Sequence, residues 1–305
     1  MNFVVPEPDS AAAERLRAWA VLSRAAIDDA PRVHQLLAES DPVEAADRYV
    51  SGRGDSSVRR AVYAQAQLNL ALHASAGGHV LTPDGDGWPH PLRDLLQLAP
   101  QTSPPVLLWL RGPARLDLFG QYRVAVTGAS AASEYGQHVA TDLAGRLASH
   151  GWTVVTRGGH GVDVAAHRGA LNAAGPPTIA ILAGGVDRPL PSQLAYLFDR
   201  IADEGLLVSQ YPPRTSPRRD RIHAREALFA AMTAGVVVCE AGLRSSALRV
   251  ARWARRLARP VAAVPGSVYS AESRGCHQLI RHGHAQLATD IDDVLDILAS
   301  RSAHR

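Results

Sequence analysis

Short, unbroken apolar runs punctuate the chain from residue 106 onward: VLLWL (106–110), RVAV (123–126), TVVT (153–156), TIAIL (178–182), LLVS (206–209), GVVVC (235–239) and PVAAV (260–264). Between most of them the apolar positions take helical spacing, at about 135–150, 163–174, 193–204, 221–233 and 245–258. A strand without polar alternation has no face to show to water, so the alternation predicts a parallel sheet covered by helices on both faces. The expected fold class is α/β, a doubly wound, mostly parallel, Rossmann-like sheet with its ligands at the carboxyl ends of the strands.

Upstream the period is helical throughout. Ser10 is placed to cap a segment in which Leu16, Trp19, Ala20 and Leu22 follow helical spacing, Pro31 can start a second helix, and Val58, Val62, Leu68, Leu70 and Leu72 lie in a further one that ends at Gly77-Gly78. Residues 1–78 therefore predict a small all-helical domain. Residues 79–105, with TPDGDGWPHP and LAPQTSPP, read as an extended connection, 106–290 as the α/β core, and 291–305 as a short helix (IDDVLDIL) and tail. No internal repeat or low-complexity tract interrupts this plan.

Composition removes several classes of function. With 46% hydrophobic residues, wholly disordered behaviour is excluded. Two cysteines, Cys239 and Cys276, make neither a disulfide framework nor a zinc cluster and fit a reducing cytoplasm. No basic-then-apolar leader begins the chain and no run of about 18 apolar residues occurs, so neither secretion nor a membrane span is expected. The net charge is only +3, but all 32 basic residues are arginine. On composition alone a GC-rich coding bias accounts for that; an arginine-only surface also suits phosphates and flat rings, onto which guanidinium groups fork and stack.

The strand-end loops carry the small residues: TGASAASEYG (127–136), RGGHGVD (157–163) and AGGVD (183–187), with Ser133 placed to cap the next helix. Glycine lets backbone N–H groups approach an anion, and a following helix N-terminus favours negative charge. Each loop alone is weak, because tight strand–helix turns use glycine anyway; three at successive strand ends predict an anion-binding rim. His160, Asp163 and His167 invite a metal reading, but no third ligand is at hand and the HExxH spacing is missing. Asp163 as a helix cap and His167 as a locally packed side chain is the preferred reading, and no metal or cofactor is expected.

Charge is concentrated rather than spread. Residues 211–260 hold eleven arginines against Asp220, Glu226 and Glu240, so this segment carries +8 and the rest of the chain −5. Arg249, Arg252, Arg256 and Arg259 are spaced three, four and three, which puts them on one helix face. A charge run is ordinarily a solvated face. Few acidic partners are interleaved at i±4 here, which favours contact with an anion or a nucleic acid.

The ordered set TGASAASEYG, TRGGHGVDVAAHRGAL, ILAGGVDRPLP, VSQYPP, VVVCEAGLRSSAL, VAAVPGS and RGCHQLI resembles the DNA processing protein A (DprA/Smf) family over about residues 79–290. The helical N-terminal domain resembles the sterile-alpha-motif-like domain that precedes the core in many members. The resemblance implies an extended Rossmann fold and a cytoplasmic homodimer. It also implies a non-enzymatic mediator that binds single-stranded DNA and loads the RecA recombinase during natural transformation. On a single-stranded-DNA reading of this chain's own loops, the expected DNA or phosphate contacts are Gly128, Ala129, Ser130 and Ser133 in the first loop, and Arg157, Gly158, Gly159 and Gly161 in the second. Arg225, Ser245, Ser246, Arg249 and Arg252 complete the set, with Tyr135 or Tyr211 available to stack on bases.

Departures from the family fall in these motifs. The usual G-S-R is Gly128-Ala129-Ser130, the S-G-x-A is Thr156-Arg157-Gly158-Gly159, the R-N-R is Arg225-Glu226-Ala227, and the S-G-S is Ser245-Ser246-Ala247. Loss of arginine at 130 and 227 weakens the usual phosphate pocket, while Arg157 offers a charge nearby and the 249–259 stripe another path. With only residues 291–305 left, the winged-helix-like C-terminal domain of some members is not expected. Two other functions remain. One is a nucleotide-hydrolysing enzyme of the lonely-guy type on the same fold, with Glu240 as acid, although its P-G-G-x-G-T-x-x-E run is absent. The other is a member that acts through protein contacts alone.

Overall fold

A computed structural model of the chain describes residues 10–96, 98, 104–114, 116 and 122–300. Positions 1–9 of the helical domain, 99–103 of the connection and 301–305 of the tail lie outside the described residues. Ser10 caps α1 (Ala11–Glu39) as expected, accepting the Ala13 N–H at 3.2 Å. The helix bends at Asp29 (φ −148°, ψ 61°), where the side chain accepts the Arg32 N–H at 3.3 Å and Pro31 opens a second helical half. Within the expected helical stretch a separate helix, α2 (Pro42–Ser51), is set off by Asp41-Pro42: Asp41 caps it through the N–H groups of Val43 and Glu44. Asp55 caps α3 (Ser56–Ser75) in the same way.

The stretch after 78 is more than a connection. Gly78–Leu81 forms strand β1, antiparallel to β2 (Leu108–Arg111), and α4 (Arg93–Leu96) lies between them. Strands and helices then alternate as the pattern predicted: β3 (Arg123–Thr127), α5 (Glu134–Ser149), β4 (Thr153–Thr156), α6 (Val162–Leu171), β5 (Ile179–Ile181), α7 (Ala195–Glu204), β6 (Leu206–Ser209), α8 (Arg219–Ala231), β7 (Gly235–Val238), α9 (Ala247–Arg256) and β8 (Val261–Ala263). The described chain closes with α10 (Arg274–Arg281), β9 (Gln286–Leu287) and α11 (Ile291–Ala299).

Nine strands among the described residues form one sheet in the order β1-β2-β6-β5-β4-β3-β7-β8-β9. All neighbours from β6 to β9 are parallel; β2 runs antiparallel to both β1 and β6. The fold is thus the expected Rossmann-like, mostly parallel sheet with an antiparallel edge. An apolar run such as VLLWL marks a buried strand but says nothing of its direction.

Both faces are covered. One packs against α4, α8, α9 and α10 through residues such as Ile181, Val208, Phe229 and Val250. The other is covered by α5, α6 and α11 over β3, β4, β7 and β8, and by α7 with the N-terminal helices over β2, β5 and β6. Trp19, Leu22, Val33 and Leu36 of α1 share one apolar cluster with Leu107, Trp109 and Leu207 of the sheet. The buried Trp109 indole also donates to the Ser23 hydroxyl at 3.2 Å. The helical module therefore caps the sheet rather than standing apart from it.

Candidate nucleic-acid interface

The strand order reverses beside β3: β4, β5 and β6 follow on one side, β7 and β8 on the other. Loops leaving β3 and β7 diverge there, and such a switch point leaves a crevice at the carboxyl ends of the strands. A groove of about 580 Å3 lies at this place, lined by Ser130, Ala131, Ser246, Arg244, Arg249 and Arg274. A cavity of about 430 Å3 lies further along the rim, among Gly158, Gly159, Gly184, Gly185, Arg188 and Arg225. A third, of about 400 Å3, opens between α5 and α6 beside Ser130, His138, His160 and Arg168.

At the three strand-end loops the protein's own carboxylates take up some of the backbone donors. Glu240, buried just past β7, accepts the Ser133 N–H at 2.9 Å and the Ser133 hydroxyl, and so sits at the N-terminus of α5. A side chain on Gly136 would strike this carboxylate, which explains the glycine. Ser133 caps α5 as expected, but its donors serve Glu240 and are not offered to a phosphate. Ala129 is likewise engaged, its N–H donating to the Glu240 carbonyl at 2.8 Å and its carbonyl accepting the Val162 N–H at 3.1 Å. In the third loop Asp187 accepts the Arg214 N–H at 2.9 and 3.1 Å.

Asp163 fills the second loop. It sits inside the first turn of α6, whose N-cap is Gly161 (φ 67°), a position pressed against the Ala129 and Ser130 carbonyls that only glycine fits. Its carboxylate accepts the Gly159 N–H at 3.1 Å and pairs with Arg157 at 3.2 Å. Asp163 thus holds a loop and an arginine rather than the helix end expected of it.

Three arginines behave differently from expectation. Arg157 is only 2% exposed: besides Asp163 it donates to the Ser246 hydroxyl at 2.8 Å and the Gly128 carbonyl at 3.4 Å. It ties the loops of β3, β4 and β7 together from beneath and offers no charge at the surface, because the buried Asp163 carboxylate draws it inward. Arg249 forks onto the buried Glu226 with two hydrogen bonds of 2.8 Å, a pairing that holds its pKa above the ordinary value. Arg259 leaves the supposed stripe altogether, buried against Asp94 at 2.9 Å. The positions that do line up on the open face of α9 are Arg252, Arg255 and Arg256, the last stacked 4.7 Å from the Trp253 ring centre.

Arg225 does reach the rim. It is half-buried, donates to the Arg157 carbonyl at 3.0 Å, and borders the 430 Å3 cavity. Burial and the neighbouring Arg157 push its pKa down to about 10, so it stays cationic at neutral pH. Ser130 is exposed between two of the grooves, and Ser245 and Ser246 shape the turn into α9, Ser245 accepting the Ala247 N–H at 3.2 Å. Arg244 and Arg274, both exposed, line the switch-point groove. Arg244 belongs to the basic segment, where spacing gives it no distinguishing mark, and Arg274 stands outside it, brought to the rim by the chain's return after β8.

His167 and the two cysteines are structural. His167 is fully buried, and burial pushes its pKa down to about 4. Thr178 donates its hydroxyl to the Val154 carbonyl and so accepts the His167 Nδ1–H at 3.0 Å, which fixes the neutral ring's tautomer. No group of three His, Cys, Asp or Glu side chains suited to a metal occurs among the described residues. Burial pushes the Cys239 and Cys276 thiols up, which leaves them unreactive. No helix among the described residues is long and apolar enough to cross a membrane. Tyr135 hydrogen-bonds the Pro265 carbonyl, and Tyr211 is buried beside the rim.

Residues 79–299 match the family model for DNA recombination-mediator protein A. The chain belongs to that family. A DprA-type DNA processing protein of Mycobacterium tuberculosis is 44% identical over 297 residues, covering 92% of this chain and 75% of its own length. The crystal structure of DNA processing protein A from Streptococcus pneumoniae superposes with a TM-score of 0.72 at 29% identity, over 90% of this chain and 95% of that one. DNA processing protein A of Helicobacter pylori, described for its single-stranded DNA binding mode, superposes with a TM-score of 0.64 at 26% identity, over 73% of this chain and 96% of its own. The family's recombination-mediator fold and this rim therefore coincide in one molecule.

Proposed function

We propose that the protein binds single-stranded DNA along the rim formed by the β3, β4, β5 and β7 loops and delivers it to a RecA-type recombinase. In this reading it works as a cytoplasmic homodimer, without catalysing a reaction, in the uptake and recombination of incoming DNA. The observation that carries the reading is the open, arginine-lined groove at the switch point, continued by the cationic Arg225. Open grooves with exposed arginines suit an extended chain of phosphates, whereas a small ligand calls for enclosure. Family membership and the single-stranded DNA binding of the H. pylori relative support the same conclusion.

The internal anions Glu240, Asp163 and Asp187 speak against a nucleotide enzyme, since they take up donors and add negative charge at the strand ends where a substrate phosphate would bind. Glu240 in particular spends its carboxylate on Ser133, so it is a poor general acid. One observation favours a role through protein contacts instead: Arg157 and Arg249 spend their charge inside the fold. Salt-titrated binding to single- and double-stranded oligonucleotides separates the readings. Single-strand binding should weaken steeply with salt, by about 0.7 in logarithmic slope for each phosphate contacted. Absence of binding at low salt refutes the proposal, and release of free base from a nucleoside monophosphate revives the enzyme.

A further inference from the structure

A cavity of about 200 Å3 separates α1 from the turn that joins β6 to α8. Its α1 wall is mostly apolar, Ala26, Ile27 and Ala30 beside Ser23, while Gln210, Tyr211, Asp220 and Arg221 bring polar atoms from the core side. Gln210 and Tyr211 directly follow β6, so the cavity lies at the same sheet end as the grooves described above. It is smaller than the ~300–1,000 Å3 of whole-cofactor sites and suits a single planar ring.

Two of its polar atoms have no partner among the described residues. The Gln210 amide N–H donates to the Tyr211 hydroxyl at 3.0 Å, but the Gln210 Oε1 is buried and accepts nothing among the described residues. Arg221 donates through Nη1 to the Ser216 carbonyl at 2.6 Å and lies 5.6 Å from the Tyr211 ring centre, yet its buried Nε–H has no acceptor. Tyr211 accepts from Gln210 and so keeps its own O–H to donate, and burial raises its pKa, which keeps that proton in place at neutral pH. Buried donors and acceptors left unpaired are costly, and native folds leave few without a partner. These donors and acceptors, with the Asp220 carboxylate at the same cavity and a mostly apolar α1 wall opposite, match a flat ring with a mixed hydrogen-bonding edge.

We propose that this cavity receives a nucleobase from the strand bound at the rim, with Gln210 and Tyr211 reading its edge and α1 of the helical module closing over its face. The proposal rests on the single-stranded DNA reading above and extends it: the helical module becomes one wall of the DNA site. Phosphates on the rim would position the strand, and this pocket would add a contact that depends on the base.

Fluorescence anisotropy with the full chain tests it, using labelled oligothymidylate and an abasic strand of equal length. The wild-type protein should bind the intact strand about tenfold more tightly, the worth of one well-made buried hydrogen bond. Gln210→Leu and Tyr211→Phe, each checked for wild-type melting, should lose most of that preference while the salt dependence stays unchanged. Equal binding of the intact and abasic strands by the wild type overturns the pocket and leaves rim binding intact. Undiminished base preference in both folded variants overturns its placement here. No binding of either strand at low salt overturns the DNA reading and the pocket together.

Discussion

Asp163 shows how one carboxylate decides what a neighbouring arginine is for. Buried at 3.2 Å from Arg157 and bonded to the Gly159 N–H, it turns a residue that reads as a phosphate clamp into a tie between three loops. Removing one partner of a buried pair leaves the other charge uncompensated, so Asp163→Asn should lower the free energy of unfolding by about 3 kcal/mol in urea titration; an unmoved midpoint would contradict this. His167 supplies a pH effect at the same scale. Its folded pKa of about 4 lies below the unfolded 6.5, so the unfolded chain takes up a proton that the fold refuses. Its contribution is intact above pH 6.5 and is lost progressively as pH falls towards 4, up to about 3 kcal/mol in all. Urea melts between pH 7 and 4.5 should therefore show a shallower loss for His167→Asn than for the wild type, and parallel slopes would exclude it.

At the scale of the element, α9 illustrates the limit of reading a stripe from spacing. Arg249, Arg252, Arg256 and Arg259 do recur at helical intervals, but Glu226 takes the first, and the last lies past the end of the helix, where Asp94 holds it. Those two carboxylates come from α8 and α4, far off in sequence, so no i±4 inspection could find them. The two ends should therefore respond differently. Arg252→Ala, on the exposed face, should leave stability within about 0.5 kcal/mol and, if the strand reaches that face, reduce the salt slope of DNA binding by about 0.7. Arg249→Ala strands the buried Glu226 and should cost about 2 kcal/mol of stability, discounted for the half-exposed arginine. Equal melting of the two variants would refute the distinction.

At the scale of the whole molecule, the helical module and the sheet share a core. Trp109 stands in β2 fully buried, touching His73 of α3 edge-on at 5.2 Å and donating to Ser23 of α1. Such a shared cluster predicts a single cooperative calorimetric transition for the full chain. Trp109→Ala should lower stability by about 4 kcal/mol without splitting that transition, whereas two separated transitions in the wild type would show the module to be independent. The same contact explains why residues 79–105 misread as a connection. Gly and Pro mark chain turns but not the destination of the chain between them, and only the antiparallel pairing with β2 makes Gly78–Leu81 a strand.

The apolar runs and their helical spacers determined by themselves the parallel sheet, its two covers and the end where loops gather, because burial on both faces leaves a local signature in every strand. Caps at Ser10 and Ser133 were equally legible, since a cap bonds within its own turn. Tertiary structure alone decided the direction of β2, the seat of the module, and which arginines face outward. Those outcomes depend on partners brought together from distant parts of the chain: Asp163 and Ser246 around Arg157, Glu226 opposite Arg249, Asp94 opposite Arg259. A charge is written in the sequence; whether it is spent inside the fold is written only in the packing.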